Sequence, residues 1–453
     1  MKNRIFIILT MVIGSMAFYS CEKFLDAKPY NSLSHPNSLK DLQALLDFEW
    51  EVNYWYPGIG ELASDDFVIS FRGFSAMLPH MQDAYLWKDD SGDSGEWQLG
   101  YKMISIANVI LEGLQRIDGG DPKLRSQIEG EALFLRGWAY FNLAQIYCAP
   151  YSVLETSDNM GLVLRADSDS EVNLPRSSLE ETYIQLFRDL NRAVELLPEK
   201  ATHVTRASRW VALSALARAY HTIEDYQLAE KMVDRAMEIE NTLLDYNDLD
   251  YAAAMPFDVT NNVELIHYAV SRSTEYLIYD ASTRVSEELY KLYEDTDLRK
   301  KLFFEQSNAG VKFKGFYHGK RSCFVGLAQD EMYLIKAECS VRRDAKAEAE
   351  SYLNTFLSTR YEKNKFSKLS FATAELALDR ILLERRKQLV FRGIRWMDLR
   401  RLNRYPYRAV VVEKRFDDVD ESKVYKLLPN DLRYTFLIPI LAIDAGGYTQ
   451  NPR

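Results

Sequence analysis

The chain has 453 residues, 47% of them hydrophobic and 27% charged, and a formal net charge of −10. That length and apolar content suffice for two or three average domains or one large helical domain, and they exclude global disorder. The acidic balance argues against nucleic acid as the main partner. Aromatics are abundant, with 28 Tyr, 22 Phe and 7 Trp, more than a helical core needs, and stacking surfaces are one use for the excess.

The first residues read as an export signal. Lys2 and Arg4 form a basic start, Ile5 to Ile13 an apolar stretch, and small and polar residues run up to Ser20 and Cys21. The apolar run is shorter than the roughly 20 residues that a membrane-spanning helix needs. Residues 22–36 are turn-rich, through Lys28-Pro29-Tyr30-Asn31-Ser32 and His35-Pro36.

A first helix is expected over about Leu39–Glu51. Residues 52–98 keep no period for long. They carry Tyr54-Trp55-Tyr56, Ser64-Asp65-Asp66, Phe71-Arg72-Gly73-Phe74 and an acidic, glycine-containing run from Trp87 to Trp97. Aperiodic stretches of that length are functional or disordered, and their aromatic density argues against disorder. Helical periodicity takes over from Tyr101. It gives Ile104–Ile117, a stop at Asp118-Gly119-Gly120-Asp121-Pro122, and a long helix Ile128–Tyr147. A loop from Cys148 to Arg176 precedes a helix over Leu179–Leu197.

Ala217, Tyr220, Ala229, Val233 and Ala236 have the spacing of a tetratricopeptide repeat, in which small residues let paired helices approach closely. Ala337, Ala349 and Leu353 repeat the same steps, and Asp189, Leu190 and Ala193 with Pro198 read as the second helix of another unit. Between the repeats, residues 243–326 are rich in Tyr and Phe, among them Tyr276, Tyr279, Phe316 and Tyr317. Near the end, Leu378, Ile381, Leu382, Arg385 and Leu389 share one helical face, with Glu384 and Lys387 close enough to pair on the next. Gly393 interrupts this run as a C-cap or bend. Beyond it Trp396 anchors a second short amphipathic turn, in which Asp398 is flanked by Arg395, Arg400 and Arg401.

The order of residues in that last stretch resembles the E-R-R-x-E-L-x-F-E-G-x-R-W-x-D-L-R-R signature of the SusD/RagB nutrient-binding outer-membrane lipoproteins of Bacteroidetes. Glu384, Arg385, Arg386, Leu389, Phe391, Gly393, Arg395, Trp396, Asp398, Leu399, Arg400 and Arg401 match it. Gln388 and Arg392 stand at its two other acidic positions, so an ion pair made there by relatives is altered here. Ala107, Asn108 and Leu111, then Glu131, Ala132, Phe134, Leu135, Arg136, Tyr140 and Phe141, resemble two of the family's helices. Val263 to Ile266 resembles a family strand, Asp297 and Arg299 a family turn, and Gln450-Asn451-Pro452 the family's tail. Leu441 replaces a proline of that tail, so closure of the C-terminus is expected to differ.

The resemblance implies a mostly α fold, with a tetratricopeptide-like helix-pair core, long loop insertions and a few short strands. It implies a signal peptide over residues 1–20, a lipidated tether over 21–36 headed by Cys21, and a single domain over 37–453. Helix pairs would occupy about 101–240 and 327–402, and ligand-facing loops about 52–98 and 243–326. It further implies a cell-surface lipoprotein of the outer membrane that captures an oligosaccharide and passes it to a SusC-like TonB-dependent transporter. Capture of peptides within the same family, or a protein-interaction scaffold, are the alternatives.

The residues themselves show no H-E-x-x-H, no G-x-S-x-G and no phosphate-binding G-x-x-x-x-G-K-[ST], so no enzyme is expected. The six histidines lack metal-ligand spacing. Asp89, Asp90, Asp93 and Glu96 could offer hard oxygens to calcium, but the glycine of an EF-hand is missing. Neither a metal nor a cofactor is expected. Besides Cys21 there are Cys148, Cys323 and Cys339, without C-x-x-C spacing; Cys148 and Cys339 fall in apolar helical patterns as buried thiols. Binding is left, through aromatic faces for sugar rings and polar groups for hydroxyls. The candidates are Trp55, Asp66, Arg72, Trp87 and Asp90 in the first loop region and Tyr276, Tyr279, Phe316 and Tyr317 in the second. Trp87 and Tyr317 lead, as aromatics in glycine-containing loops.

Overall fold

Side-chain caps set where the helices begin. The computed structural model describes residues 36–88, 95–154, 158–169, 172–271, 282–308, 310–416, 419 and 423–453. Helix α1 (Leu39–Leu46) opens on a reciprocal capping box between Ser38 and Asp41. It ends earlier than the pattern suggests, and Glu49–Val52 forms a separate turn. Helix α2 spans Glu96–Arg116 and α3 spans Pro122–Tyr147, with Asp121 as N-cap and a proline in the first turn. Helix α4 (Leu179–Leu196) starts on a second capping box, Ser178 with Glu181. Helix α3 packs against both α2 and α4, which is why nearly all of its residues after Ile128 are buried.

Two helix pairs follow, α5 (Arg209–Thr222) with α6 (Tyr226–Ile239) and α7 (Gln329–Arg342) with α8 (Lys346–Ser358). Helix α6 packs on α7, and α7 on α9 (Ala374–Gln388). Ala217, Ala229, Ala236, Ala337 and Ala349 are fully buried, as close approach between paired helices requires. Each pair turns through one acidic residue in the left-handed region, Glu224 (φ 66°) and Asp344 (φ 68°). The recurrence of that turn supports a tetratricopeptide-like repeat. The fold is mostly α, and residues 38–453 form one compact unit.

Short antiparallel strands tie the loop regions to one another and to the helices. Phe67–Ile69 pairs with Thr283–Val285, Leu265–His267 with Leu327–Ala328, and Val270–Ser271 with Cys323–Phe324. The region 52–98 is not one open loop. It carries the short helices Ile59–Ala63, Phe71–Ala76 and Pro79–Tyr85.

The C-terminal signature fills α9 and α10 (Arg395–Leu402), and it is held by buried ion pairs. Arg385 meets Asp398 at 2.8 Å, Arg401 meets Glu338 at 2.6 Å, Arg395 meets Asp65 at 2.7 Å and Arg299 meets Glu384 at 2.5 Å. Burying a charge is costly unless it is paired and hydrogen-bonded, and these are. Glu384 and Lys387 pair at 3.4 Å as their spacing suggests. Gly393 is the bend, at φ 69°; a Cβ there would sit 2.9 Å from Val325 Cγ1. The tail is pinned by Gln450, whose amide exchanges two hydrogen bonds with Ile438 (2.8 and 2.7 Å), and by Asn451, which donates to the Tyr147 and Phe436 carbonyls.

Candidate functional site

The turn Glu49–Val52 and the residues after it present a group of rings to solvent. Asn53 fixes this segment. Its side-chain amide donates to the carbonyls of Tyr268 (2.7 Å) and Thr205 (3.1 Å), and its own carbonyl accepts from Val270 N–H at 2.8 Å. Tyr56 is buried and its N–H donates to the Val270 carbonyl. With Asn53 and Tyr56 held inside, Trp50 stays outside, 43% exposed, and Tyr54 and Trp55 are half-buried. Trp50 stacks on Tyr54 with centroids 5.6 Å apart and meets Trp55 edge-on at 5.1 Å.

The second loop region reaches the same place. Tyr268 lies 5.7 Å from Tyr54, their hydroxyls hydrogen-bond at 3.2 Å, and the exposed Lys320 donates to the Tyr54 hydroxyl at 3.4 Å. The Lys320 ammonium also stands 5.4 Å from the Tyr268 ring centroid. Chemically this is a rim of flat apolar faces edged by hydroxyls and a cation, suited to the C–H faces and hydroxyls of a sugar.

Of the expected residues that the structure describes, Trp55 belongs to this platform and Asp66, Arg72, Trp87, Phe316 and Tyr317 do not. Arg72 is exposed, on the helix Phe71–Ala76. Asp90, Tyr276, Tyr279 and Cys21 lie outside the described residues. Four expectations are corrected. Trp87 is 3% exposed, at φ 53°, with its indole N–H donating to the Ala63 carbonyl at 3.0 Å. It forms part of the wall of an open depression of about 650 Å³ but offers no free ring face. Tyr317 is also 3% exposed, with its hydroxyl on the Glu264 carboxylate and Arg392 over its ring at 4.4 Å. Phe316 is buried, edge-on to Phe313 at 5.1 Å. Asp66 is buried against Arg386 at 3.0 Å, which neutralises it.

Glu96, considered above for calcium, is buried and accepts from the N–H groups of Gly58 (2.9 Å) and Ile59 (3.0 Å). Cys148, Cys323 and Cys339 are buried free thiols. Trp50, Tyr54, Tyr268 and Lys320 were not singled out by the sequence. Trp50 and Tyr54 are four residues apart, which on a helical turn places two large rings side by side; that spacing was the available signal.

A family model described as "Starch-binding associating with outer membrane" matches residues 23–221, and one described as "SusD family" matches residues 330–452. The chain belongs to the SusD family. Two curated SusD-like proteins of Formosa agariphila are 23% identical over 236 residues and 26% identical over 246 residues. These matches cover 49% and 50% of this SusD-family chain, which spans only 44% of the length of each relative. A SusD superfamily protein from Bacteroides thetaiotaomicron superposes with a TM-score of 0.76 at 23% identity, covering 92% of this chain and 100% of the other. A SusD-like carbohydrate binding protein from Bacteroides vulgatus gives 0.69 at 21% identity, covering 91% and 97%. At those identities the likeness is one of fold.

Proposed function

We propose that this SusD-family protein captures an oligosaccharide on the platform of Trp50, Tyr54 and Trp55, and that it binds without catalysis. The observation that carries this reading is the packed ring cluster where the two expected ligand-facing regions meet, with Trp50 exposed, Tyr54 and Trp55 half-buried, Lys320 at its edge and the buried Tyr268 supporting it from behind. Rings already ordered by their neighbours lose little freedom on binding, which favours affinity. The starch-binding description of the matching family model and the carbohydrate-binding title of a structural neighbour support a glycan over other ligands. In this reading residues 1–20 are a signal peptide and Cys21 carries lipid on a tether over residues 21–36. The single domain, residues 37–453, sits at the outer-membrane surface and passes its ligand to a SusC-like TonB-dependent transporter. A glycan panel probed with the mature chain tests it. The expected result is saturable binding of at least one oligosaccharide, with a change in tryptophan fluorescence and no product released. Turnover of a glycan, or binding of none, contradicts it.

A further inference from the structure

A cleft of about 550 Å³ that shares no residue with the platform is lined by Arg176, Arg400, Asn403, Tyr434, Thr435 and Gln450, among others. Arg176 is 7% exposed and Arg400 3%. Buried arginines elsewhere in the signature face a carboxylate, as Arg385 does Asp398, Arg395 does Asp65 and Arg401 does Glu338. Among the described residues these two face none. Arg176 donates to the carbonyls of Gly161, Thr449 and Met160 and to Asn451 Oδ1, at 2.8 to 3.1 Å. Arg400 donates to the carbonyls of Gln145 and Cys148.

Carbonyl dipoles satisfy donors but leave the net charge in place, so two buried cations stand beside this cleft with no carboxylate against them among the described residues. Arg400 uses two of the five N–H donors a guanidinium carries. Its Nε is buried without a partner, whereas the Asn403 and Tyr434 side chains, which also line the cleft, are hydrogen-bonded to each other. Burial pushes the Arg400 pKa down to about 10, as expected for a charge that lacks an anion. Of the acids lining the cleft, Asp431 is occupied by Arg433 at 2.7 Å and Asp158 is exposed.

We infer that this cleft binds the carboxylate of an acidic saccharide, a uronic acid, as a site separate from the platform. The guanidinium fork matches a planar carboxylate, the side-chain carbonyl of Asn430 and the hydroxyl of Thr435 suit sugar hydroxyls, and the volume is that of a small-ligand site.

Calorimetric titration of the full mature protein with glucuronate, glucose and sulfate tests the assignment. Glucuronate is expected to bind saturably and glucose not to compete with it. Arg400→Gln is expected to weaken glucuronate roughly tenfold or more. Asp158→Asn removes an exposed negative charge from the cleft, so it is expected to tighten binding at low salt; it also keeps the test decisive if Arg400→Gln fails to fold. Displacement of bound glucuronate by sulfate supports recognition of the anionic group. Absence of glucuronate binding, binding unchanged in both variants, sulfate binding without glucuronate binding, or loss of glucuronate binding in Trp50→Ala overturns the assignment.

Discussion

Arg392 Nη1 lies 2.7 Å from Asp330 Oδ2, and both side chains are buried. The same carboxylate oxygen accepts from Gln388 Nε2 at 2.8 Å. At two of the four acidic positions of the family signature this chain places an amide and a cation, Gln388 and Arg392, and Asp330 on α7 accepts from both. The altered ion pair is therefore complete with a partner 62 residues away in sequence. Arg392 also covers the Tyr317 ring, which ties the signature to the turn around Gly315.

Arg392→Glu puts a second carboxylate against Asp330 in a buried site. It should destabilise the protein by about 3–5 kcal/mol, read from urea unfolding. Adding Asp330→Asn should recover part of that loss, because the facing charge is removed. A single variant as stable as wild type contradicts the pairing.

Ala229→Leu tests the repeat register. Ala217 and Ala229 are both fully buried on the paired helices α5 and α6. The added side chain should overpack the contact and cost about 1–3 kcal/mol. An unchanged melting midpoint would place Ala229 at the surface.

Acid should weaken the fold through three buried histidines. Burial holds His221 and His267 down to about 4 and His318 down to about 3; for His221 the Arg401 guanidinium adds to the effect. These histidines are neutral in the fold, whereas in the unfolded chain they take up protons near pH 6.5. Between pH 6.5 and 4 the unfolded chain binds more protons, so stability falls as the pH drops through that window. Glu61, pushed up to about 8 by burial and by Asp66, opposes this, since its contribution is lost as the pH rises from 4.5 to 8. Asp66 and Glu264, also pushed up by burial, act in the same direction as Glu61; the three histidines, all held well below the ordinary imidazole value, are expected to set the net sign. The urea midpoint is expected to be lower at pH 5 than at pH 7, with a smaller difference in His318→Asn. A midpoint that rises on acidification contradicts this.

The long helices were legible because a 3.6-residue period and caps such as Ser178 with Glu181 are local signals. So was the C-terminal signature, whose charged residues are read one by one. The burial of Trp87 was not legible. Its acceptor is the Ala63 carbonyl, and its left-handed backbone follows a helix that no periodicity announced. Phe67–Ile69 finds its strand partner at Thr283–Val285, more than 200 residues on, and such pairings leave no local trace. Tyr317 looked exposed because glycines bracket its turn, but Gly315 packs so tightly that a Cβ there would sit 2.7 Å from Phe303 Cδ1. In the platform Trp55 lies in a loop, as its aperiodic surroundings imply, whereas the first helix ends at Leu46 and Trp50 sits on the separate turn Glu49–Val52.

Membrane attachment is expected to depend on Cys21. No described helix is long and apolar enough to cross a membrane, and acyl chains contribute about 0.8 kcal/mol per buried CH₂. Cys21→Ser expressed with a cleavable signal should appear in the soluble fraction. Retention in a salt-washed membrane pellet contradicts the anchor.

Titration of Trp50→Ala and Trp55→Ala with whichever oligosaccharide the panel returns tests the central claim most directly. Trp50 is exposed on the outside of the turn, so its removal should leave the unfolding midpoint within about 0.5 kcal/mol of wild type. Loss of a stacking ring at a well-packed contact should cost about 2 kcal/mol, roughly thirtyfold in Kd. A folded Trp50→Ala protein with roughly thirtyfold weaker binding is the predicted result. Wild-type affinity in both folded variants would contradict the platform as the binding site.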